Sequence, residues 1–468
     1  MSPLNNPMCL TPQAAPRQVP KRGRHGLRLN LSVALSLSLA LVAALGGCAE
    51  PTQLPPNASV GPAPTLPAPS TTLLPTVHIA PAKGWPGAAM PTPAAGLDVT
   101  PFATGLQHPR WLLVLPGGDV LVAETNAPPR PQDSAGIKGW VMSLVMARAG
   151  AGVPSPNRII LLRDADGDGR AEMQTVFAQG LNSPFGMALV GNRLYVANTD
   201  AVLEFAYAPG QTTLAAPLRT LTDLPAGARN HHWTKALIAS PDGRTLYATV
   251  GSNSNVAENG MPAEEGRAAI WAIDRDSGRK RLYATGLRNP NGMAWVGAGT
   301  LWTVANERDE LGSDLVPDYL TSVRDGAFYG WPYSWYGQHV DPRVQPPRPD
   351  LVARATVPDY ALGTHVAALG LAWADGGPLP GQLLTGAQRG MFVGLHGSWN
   401  RKPRSGYKVV FVPFVGEQPQ GLPIDVLTGF VSADGDAYGR PVGVALDAKG
   451  ALLVADDVGN AVWRVAPR

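Results

Sequence analysis

The stretch that decides the fold is SPFGMALVGNRLYVA, residues 183–197. A short apolar segment leads into a Gly-Asn turn, and a second apolar segment follows it. Gly and Asn tolerate the positive φ angles that tight hairpins need. A segment that is apolar on both faces suits a strand buried between neighbouring sheets. The stretch therefore predicts a hairpin of two buried strands.

Looser versions of this phrase recur through residues 98–468, and each ends in an apolar second strand. The six second strands are residues 120–123, 194–197, 246–249, 301–304, 391–394 and 452–455. Six such units at irregular spacing predict an all-β, six-bladed β-propeller rather than a sandwich, with a seven-bladed propeller as the alternative. The insertions 126–156 and 306–349 are too long for hairpin turns, so we expect them to wall one mouth of the central channel.

Residues 1–47 predict a lipoprotein signal peptide. Five basic residues and no acidic one precede Leu29, and an uncharged apolar run too short to span a bilayer extends from Leu31 to Leu45. Leu45-Gly46-Gly47-Cys48 resembles a bacterial lipobox, with cleavage before Cys48 and acylation of its thiol. An ordinary signal peptide with an incidental cysteine is the alternative. We expect a lipid anchor on the periplasmic side of the envelope, and Ala49 after the cysteine favours the outer membrane over the inner.

Residues 48–97 predict a disordered Pro-rich linker. Residues 49–97 contain twelve prolines and only two charged side chains, Glu50 and Lys83. Proline at this density blocks helices and sheet ladders and favours an extended spacer. The alternative is a strap packed on the domain, which Gly84-Trp85-Pro86 indicates for the last part of the segment.

Charge and cysteine content narrow the function classes. The chain has 38 basic and 35 acidic side chains, but removal of the five basic residues of the signal leaves 33 against 35. A nucleic-acid partner is therefore not expected. Cys9, the only cysteine besides Cys48, lies in the segment that would be removed, so the mature chain would have no disulfide.

Two adjacent histidines are the first candidate for chemistry. His231 and His232 stand just before an apolar strand, where the other units carry apolar or Pro-rich openings. Neighbouring residues of an extended chain point to opposite faces, so we expect only one of them to face the channel. A neutral imidazole is a suitable base near pH 7.

Basic residues in three later loops are the second candidate. Pro290 restricts the loop 286–292 and fixes Arg288, while Asn400-Arg401-Lys402 and Arg440 add cations from other blades. An anionic ligand with several carboxylates would need cations converging in this way.

Four motifs occur in order across residues 98–465, and together they carry a resemblance to a known family. They are His232 with Pro241-Asp242-Gly243, then residues 286–292, residues 328–332 and residues 440–457. The chain resembles the pyrroloquinoline-quinone (PQQ)-dependent glucose/sorbosone dehydrogenases, and most closely their sorbosone-dehydrogenase-like branch. This implies oxidation of an aldose or related sugar by hydride transfer to the quinone, with PQQ and Ca²⁺ as cofactors and an electron acceptor that the sequence does not identify.

The resemblance also implies roles for single residues. His232 matches the base when residues are counted without a gap from Pro241, and His231 is the alternative. Arg288 matches the arginine that polarises the quinone, with Asn289 beside it. Further cofactor cations are expected at Arg440 and at one of Arg401 and Lys402.

Two loops are candidates for calcium. The resemblance implies that the loop of Arg308 and Asp309 offers carbonyl oxygens to Ca²⁺, with charge from Asp309 or Glu310. Independently, Asp164, Asp166 and Asp168 alternate as at the start of an EF-hand loop, with Glu172 after them. Thr175 stands where the bidentate glutamate of such a loop would be, so a bare Asp/Gly turn is the alternative.

Departures from the family leave the substrate open. His231 stands where the glucose-oxidising members carry Asp before the base, and the glutamine that they place near the substrate has no counterpart. Two other functions remain as alternatives. They are a Ca²⁺-dependent propeller hydrolase of the lactonase type and a non-catalytic binding propeller of the cell envelope.

Overall fold

The computed structural model describes residues 51–70, 76–129, 143–297, 299–384 and 389–468. The predicted signal peptide and the predicted lipidation site Cys48 lie outside these residues. No helix within the described ranges is long and apolar enough to cross a membrane.

The first half of the domain forms three four-stranded antiparallel sheets, which we call blades 1 to 3. Blade 1 contains β4 (Pro109–Val114), β5 (Val120–Glu124), β6 (Arg158–Arg163) and β7 (Met173–Gln179). Blade 2 contains β8 (Met187–Val190), β9 (Arg193–Ala197), β10 (Ala201–Ala206) and β11 (Arg219–Asp223). Blade 3 contains β12 (Leu237–Ala239), β13 (Thr245–Val250), β14 (Ala269–Asp274) and β15 (Lys280–Thr285). The first turn of blade 2 has Gly191 at a φ of 57°, as the Gly-Asn pattern predicts.

The second half forms blades 4 to 6. Blade 4 contains β16 (Asn289–Val296), β17 (Thr300–Asn306), β18 (Pro317–Val323) and β21 (Tyr360–Thr364), and its outer edge carries β1 (Val60–Gly61). Blade 5 contains β22 (Ala368–Asp375), β23 (Arg389–Leu395), β24 (Lys408–Val415) and β26 (Ile424–Thr428), with β2 (Thr92–Pro93) at its edge and β25 (Gln418–Pro419) beside β24. Blade 6 contains β27 (Pro441–Leu446), β28 (Leu452–Asp456), β29 (Ala461–Pro467) and β3 (Leu97–Thr104).

Short elements fill the connections. They are a π-helical turn at Ala147–Ala151, a 3₁₀ turn at Met261–Glu264, the ribbon of β19 (Ser334–Trp335) and β20 (His339–Val340), and the helices α1 (Pro349–Val352) and α2 (Pro378–Leu383).

The ring closes after six blades in the part of the chain that the structure describes. The innermost strands contact one another in the order β4, β8, β12, β16, β22 and β27, and β27 returns to β4. Strand β3, from the start of the domain, completes the last blade by pairing with β29 from the end of the chain. The predicted six-bladed propeller is confirmed, and the seven-bladed alternative is excluded.

The repeated opening phrase has a packing reason. A Cβ atom on Gly186 would lie 2.3 Å from the Leu237 nitrogen of the next blade, so only glycine permits this approach. The same close approach of inner strands occurs at Gly292, Gly370 and Gly443. The Gly186 amide also donates a hydrogen bond to the Lys235 carbonyl across the two blades. The glycine of each phrase therefore lets neighbouring blades meet near the channel.

The Pro-rich segment differs from the predicted disordered linker wherever the structure describes it. We call residues 51–70 and 76–96 the strap, because they lie against the propeller. Strand β1 pairs with the outer strand of blade 4, and β2 pairs with the outer strand of blade 5. The Trp85 indole donates to Asp456 at 2.8 Å and packs against Phe430 and Trp463. Proline is tolerated at sheet edges, so its density does not prevent this docking.

Candidate functional site

A cavity of about 400 Å³ lies where the starts of the inner strands converge on the channel. Its wall includes Arg110 of blade 1, His232 beside blade 3, Arg288 of blade 4, and His365 and His396 of the blade 5 region. Met146, from the first long insertion, and Glu307, Asp309 and Glu310, from the second, also line it. The expectation that both insertions wall this mouth is therefore confirmed for their described parts.

The two adjacent histidines line the same cavity, which corrects the expectation that they face opposite sides. Their rings meet edge to face, with centroids 4.7 Å apart. Residues 231 and 232 lie in a bend before β12 begins at Leu237, so the alternation of an extended strand does not apply to them.

The His232 ring has a defined orientation. Its Nδ1 lies 2.8 Å from the Ser252 carbonyl oxygen and 3.1 Å from the Ser252 hydroxyl. A carbonyl oxygen can only accept, so the neutral ring carries its proton on Nδ1 and its basic lone pair on Nε2. Such a ring is suited to take a proton at Nε2.

Arg288 is the centre of a charged cluster on one side of the cavity, which we call the Arg288–Asp309 cluster. The Arg288 guanidinium, 4% exposed, pairs with the Asp309 carboxylate at 3.0 Å and donates to the Glu307 carbonyl at 2.7 Å. The Asn400 amide donates to the other Asp309 oxygen at 2.7 Å, and His365 Nδ1 lies 3.7 Å from it. Burial lowers the pKa of His365, so its neutral form prevails at pH 7.

A second cluster occupies the opposite side, and sequence reasoning assigned it no role. We call it the Arg110–Asp457 cluster. The Asp457 carboxylate pairs with Arg110 at 2.7 Å and with His396 Nε2 at 2.9 Å, and His108 Nε2 lies 3.7 Å away. Burial alone would raise the pKa of Asp457, but His396, His108 and Arg110 hold it well below its usual range. Arg110 belongs to the opening phrase of blade 1, and that position was the only signal available.

Burial also sets the charge of two imidazoles in the Arg110–Asp457 cluster. It lowers the pKa of His108 to about 4 and lowers that of His396, with Asp457 opposing both shifts. The cluster at neutral pH is therefore one guanidinium, one carboxylate and two neutral rings.

The lining of the cavity carries buried polar atoms that have no partner among the described residues. They are Asn289 Oδ1, Glu307 Oε1, Asn400 Oδ1 and the Nε of Arg110. Buried polar atoms are nearly always paired in folded proteins, so these orphans, three on the side of blades 4 and 5 and Arg110 Nε on the opposite side, indicate a ligand site between them. Asn289 is anchored by its own amide, which donates to Asn306 Oδ1 at 2.9 Å. At the floor, burial raises the pKa of Asp318 to about 7 although the Glu307 and Ala367 amides donate to it.

Three predicted cofactor cations do not reach this wall. Arg440 donates to the Ala80 carbonyl of the strap at 3.2 Å and lies over the Tyr407 ring. Arg401 donates to the Ser313 carbonyl and to Thr52 of the strap, and Lys402 is exposed with its carbonyl bound to the Thr52 amide. The strap engages these residues, so the structure brings together Arg288 and Asn289 but not Arg440, Arg401 or Lys402.

The predicted calcium residues fall in two separate places. Asp309 and Glu310 line the cavity, whereas the Arg308 side chain is fully buried between Glu307 and Asp341 and is no part of the wall. Asp164, Asp166, Asp168 and Glu172 gather in the exposed β6–β7 hairpin of blade 1. There the Gly167 and Gly169 amides donate to Asp164, as in a bare Asp/Gly turn, and calcium binding stays a prediction.

Comparison with known proteins follows this geometry. The profile of the family described as TrAA12-like matches residues 146–318 and 352–467, more than half of the chain. A PQQ-dependent pyranose dehydrogenase of Coprinopsis cinerea is 25% identical over 451 residues, covering 81% of this chain and 55% of that protein. The chain thus spans about half the length of this relative. An uncharacterised protein of Borreliella burgdorferi is 24% identical over 305 residues, covering 62% of this chain and 76% of that protein.

Solved structures share the fold. The holo form of the PQQ domain of the C. cinerea pyranose dehydrogenase superposes with a TM-score of 0.63 at 22% identity, covering 83% of this chain and 100% of that domain. The calcium structure of a Trichoderma reesei enzyme of Carbohydrate-Active Enzymes Family AA12 has a TM-score of 0.64 at 18% identity, covering 84% and 99%. The structural matches support the fold alone, whereas the sequence match to the C. cinerea pyranose dehydrogenase supports the predicted resemblance to quinone-dependent sugar dehydrogenases. The names of these proteins do not mention sorbosone.

Proposed function

Because the chain belongs to the TrAA12-like family, we propose that it is a PQQ-dependent dehydrogenase that oxidises an aldose or related sugar, with sorbosone-like and glucose-like sugars as the first substrates to test. The observation that carries the proposal is a cavity in which the buried Arg288 guanidinium, the largely buried Arg110 guanidinium and an oriented imidazole converge from three blades. The name of the C. cinerea relative supports the quinone and the sugar.

The residues present fit a quinone that bears several carboxylates. Arg110 and Arg288 reach the cavity from opposite sides, so they can bind carboxylate or quinone oxygens at two ends of a planar ligand. The buried Nε of Arg110, which has no partner among the described residues, is a donor that such a ligand would satisfy. We therefore assign the second cofactor cation to Arg110 in place of Arg440, Arg401 and Lys402.

Calcium fits the loop next to Arg288. Glu307 Oε1 is buried without a partner in the described part of the chain, and Asp309 and Glu310 add carboxylates on the same wall. Carboxylate and carbonyl oxygens are the ligands that Ca²⁺ prefers. We propose that Ca²⁺ binds here beside the quinone.

The chain's own residues have separable tasks in the reaction. When bound, PQQ supplies an electrophilic quinone carbon that accepts hydride from the sugar. His232 takes the proton of the sugar hydroxyl at Nε2, because its Nδ1–H donates to the Ser252 carbonyl. With the quinone bound, the Arg288 guanidinium would bind one of its oxygens and stabilise negative charge there. His231, on the same wall, is the alternative base.

One titration separates this function from the two alternatives. The purified protein is titrated with PQQ and Ca²⁺ and then tested for dye reduction by aldoses and for hydrolysis of sugar lactones. We expect stoichiometric PQQ binding and PQQ-dependent dye reduction. Lactone hydrolysis with Ca²⁺ alone would support the hydrolase, and neither activity would support a binding propeller.

We further propose that Cys48 carries a lipid and that the anchor holds the propeller close to a membrane. The Thr52 amide is already bound to the Lys402 carbonyl at 2.7 Å. Four extended residues span about 14 Å, so a lipid on Cys48 would lie no farther than that from this point of the propeller. Cys48→Ala should move the protein from the membrane to the soluble fraction, whereas wild-type protein that is already soluble would contradict the anchor.

A further inference from the structure

A second cavity, of about 470 Å³, lies between blade 3 and the insertion that follows β18. Glu264, Arg267 and Trp331 are buried on its floor, and Arg348 and Arg354 are exposed at its rim. It is therefore closed at the bottom and open to solvent. None of the residues assigned to the proposed sugar and quinone site lines it.

Asn255 separates the two cavities. The side of Asn255 that faces the first cavity contacts Arg288, whose Nε donates to the Asn255 carbonyl at 3.2 Å. The indole of Trp331, on the floor of the second cavity, donates to the same carbonyl at 2.9 Å. A ligand in the second cavity would thus be separated from the first cavity by about the width of one residue, Asn255.

A glycine shapes the aromatic wall of the second cavity. Gly286 has a φ of 77°, and a Cβ atom on it would lie 2.7 Å from the Phe328 ring. Because Gly286 has no side chain, the Phe328 ring can pack against the end of blade 3. Phe328 lines the cavity together with Trp331 and Tyr333. The wall can stack on a planar ring.

The charge of the second cavity favours an anion. Glu264 and Arg267, both buried, carry opposite charges that offset each other, and Arg348 pairs with Asp350 at 2.6 Å. The Arg354 guanidinium has no hydrogen bond or ion pair with any described residue, so one positive charge at the rim is left over. A neutral sugar would leave the Arg354 charge without a counter-charge.

From these observations we infer that the second cavity binds a planar aromatic anion, a quinone bearing a carboxylate or sulfonate, which serves as the electron acceptor. The inference rests on the proposed function. The acceptor quinone takes two electrons and two protons from the reduced cofactor and leaves as a hydroquinone. The cofactor is thereby returned to its oxidised form. Arg354 holds the anionic group, and Phe328, Trp331 and Tyr333 pack on the ring.

Binding to the cofactor-free protein is the first test, with 1,2-naphthoquinone-4-sulfonate as the probe in calorimetry. Arg354→Glu should weaken binding tenfold or more, and Leu351→Trp, which fills the cavity, should abolish it. Arg389→Glu, at an exposed arginine of blade 5, makes the same charge change outside the cavity. Its affinity for the probe should stay within twofold of that of wild type. In the cofactor-free protein the first cavity also offers Arg288 to a planar anion, so a separate binding event that disappears in Arg288→Ala is compatible with the inference. The event weakened by Arg354→Glu should keep its affinity in Arg288→Ala. If Arg288→Ala loses all affinity for the probe and Arg354→Glu does not, the probe binds in the first cavity and the inference is overturned.

Rapid mixing of the loaded enzyme separates this inference from the proposed function. After reduction by sugar, reoxidation by the sulfonated quinone should be at least tenfold slower in Arg354→Glu, whereas reoxidation by the cationic N-methylphenazonium should not slow. Reduction by sugar should be unchanged. If sugar reduces no variant, the proposed function fails and the binding result still stands. If Arg354→Glu and Leu351→Trp bind and react like wild type, the second cavity is not the acceptor site.

Discussion

The two charged clusters that face each other across the first cavity have the same three kinds of group but different exposure. The Asp457 side chain is 2% exposed and is held by Arg110 and two histidines, whereas Asp309 is 20% exposed and shares its oxygens between Arg288 and an amide. A buried carboxylate cannot exchange its partners for water or ligand without a large cost. The Arg110–Asp457 cluster is therefore a fixed support, and the Arg288–Asp309 cluster is the side that can rearrange around a bound ligand.

The largest expected difference between the clusters is in stability. Asp457→Asn leaves the largely buried Arg110 guanidinium without its counter-charge, so the free energy of unfolding should fall by about 3–5 kcal/mol. Asp309→Asn should cost about 1 kcal/mol, because Arg288 also donates to two carbonyls and Asp309 is partly solvated. Denaturant unfolding of both variants measures the difference. Equal losses would mean that the two clusters are not distinct.

Cofactor affinity should depend on both clusters. Arg288→Ala should weaken PQQ binding roughly thirtyfold, about 2 kcal/mol, through loss of a charge-assisted contact. Arg110→Lys keeps a charge beside Asp457 but loses the guanidinium, and we expect a loss of about tenfold. Arg401→Ala is the matched control, because the strap holds that side chain outside the wall. A PQQ affinity that falls in Arg401→Ala and not in Arg288→Ala would reverse the assignment.

The last expected difference concerns the pH dependence of the fixed cluster. The pKa of His108 is lowered from 6.5 to about 4 by burial, so the unfolded chain binds its proton more readily than the folded one. This group therefore adds stability above about pH 6.5 and loses it as the pH falls towards 4. We expect wild type to lose roughly 1–3 kcal/mol over this window relative to His108→Gln. Parallel stability curves for the two proteins would show that His108 does not titrate in this way.

The fold was predictable because the repeated phrase carries its own packing constraint. A residue larger than glycine at position 186 or 292 would collide with the next blade, so the pattern that predicts hairpins also fixes how the blades meet. Arg288 and Asn289 were predictable for a similar reason, since a proline and two glycines hold their loop.

The rest of the site depends on contacts between residues far apart in sequence. Arg110 and Asp457 are 347 positions apart, and no local pattern announces their pairing. Arg440 and Arg401 were predicted to be cofactor cations, but both side chains bind the strap, which lies more than 300 residues earlier in the chain. The prediction that the two adjacent histidines face opposite sides was wrong because a local bend stands where a strand was expected.

The central claim is that His232 and a bound quinone together oxidise a sugar, and anaerobic single-turnover reduction tests it most directly. Protein loaded with PQQ and Ca²⁺ is mixed with excess aldose, and the absorbance of the quinone is followed. We predict reduction in wild type, and reduction slower by roughly a hundredfold or more in His232→Ala with unchanged PQQ affinity and melting temperature. His231→Ala should remain within a few-fold of wild type. Absence of reduction in wild type, or equally fast reduction in His232→Ala, would contradict the account.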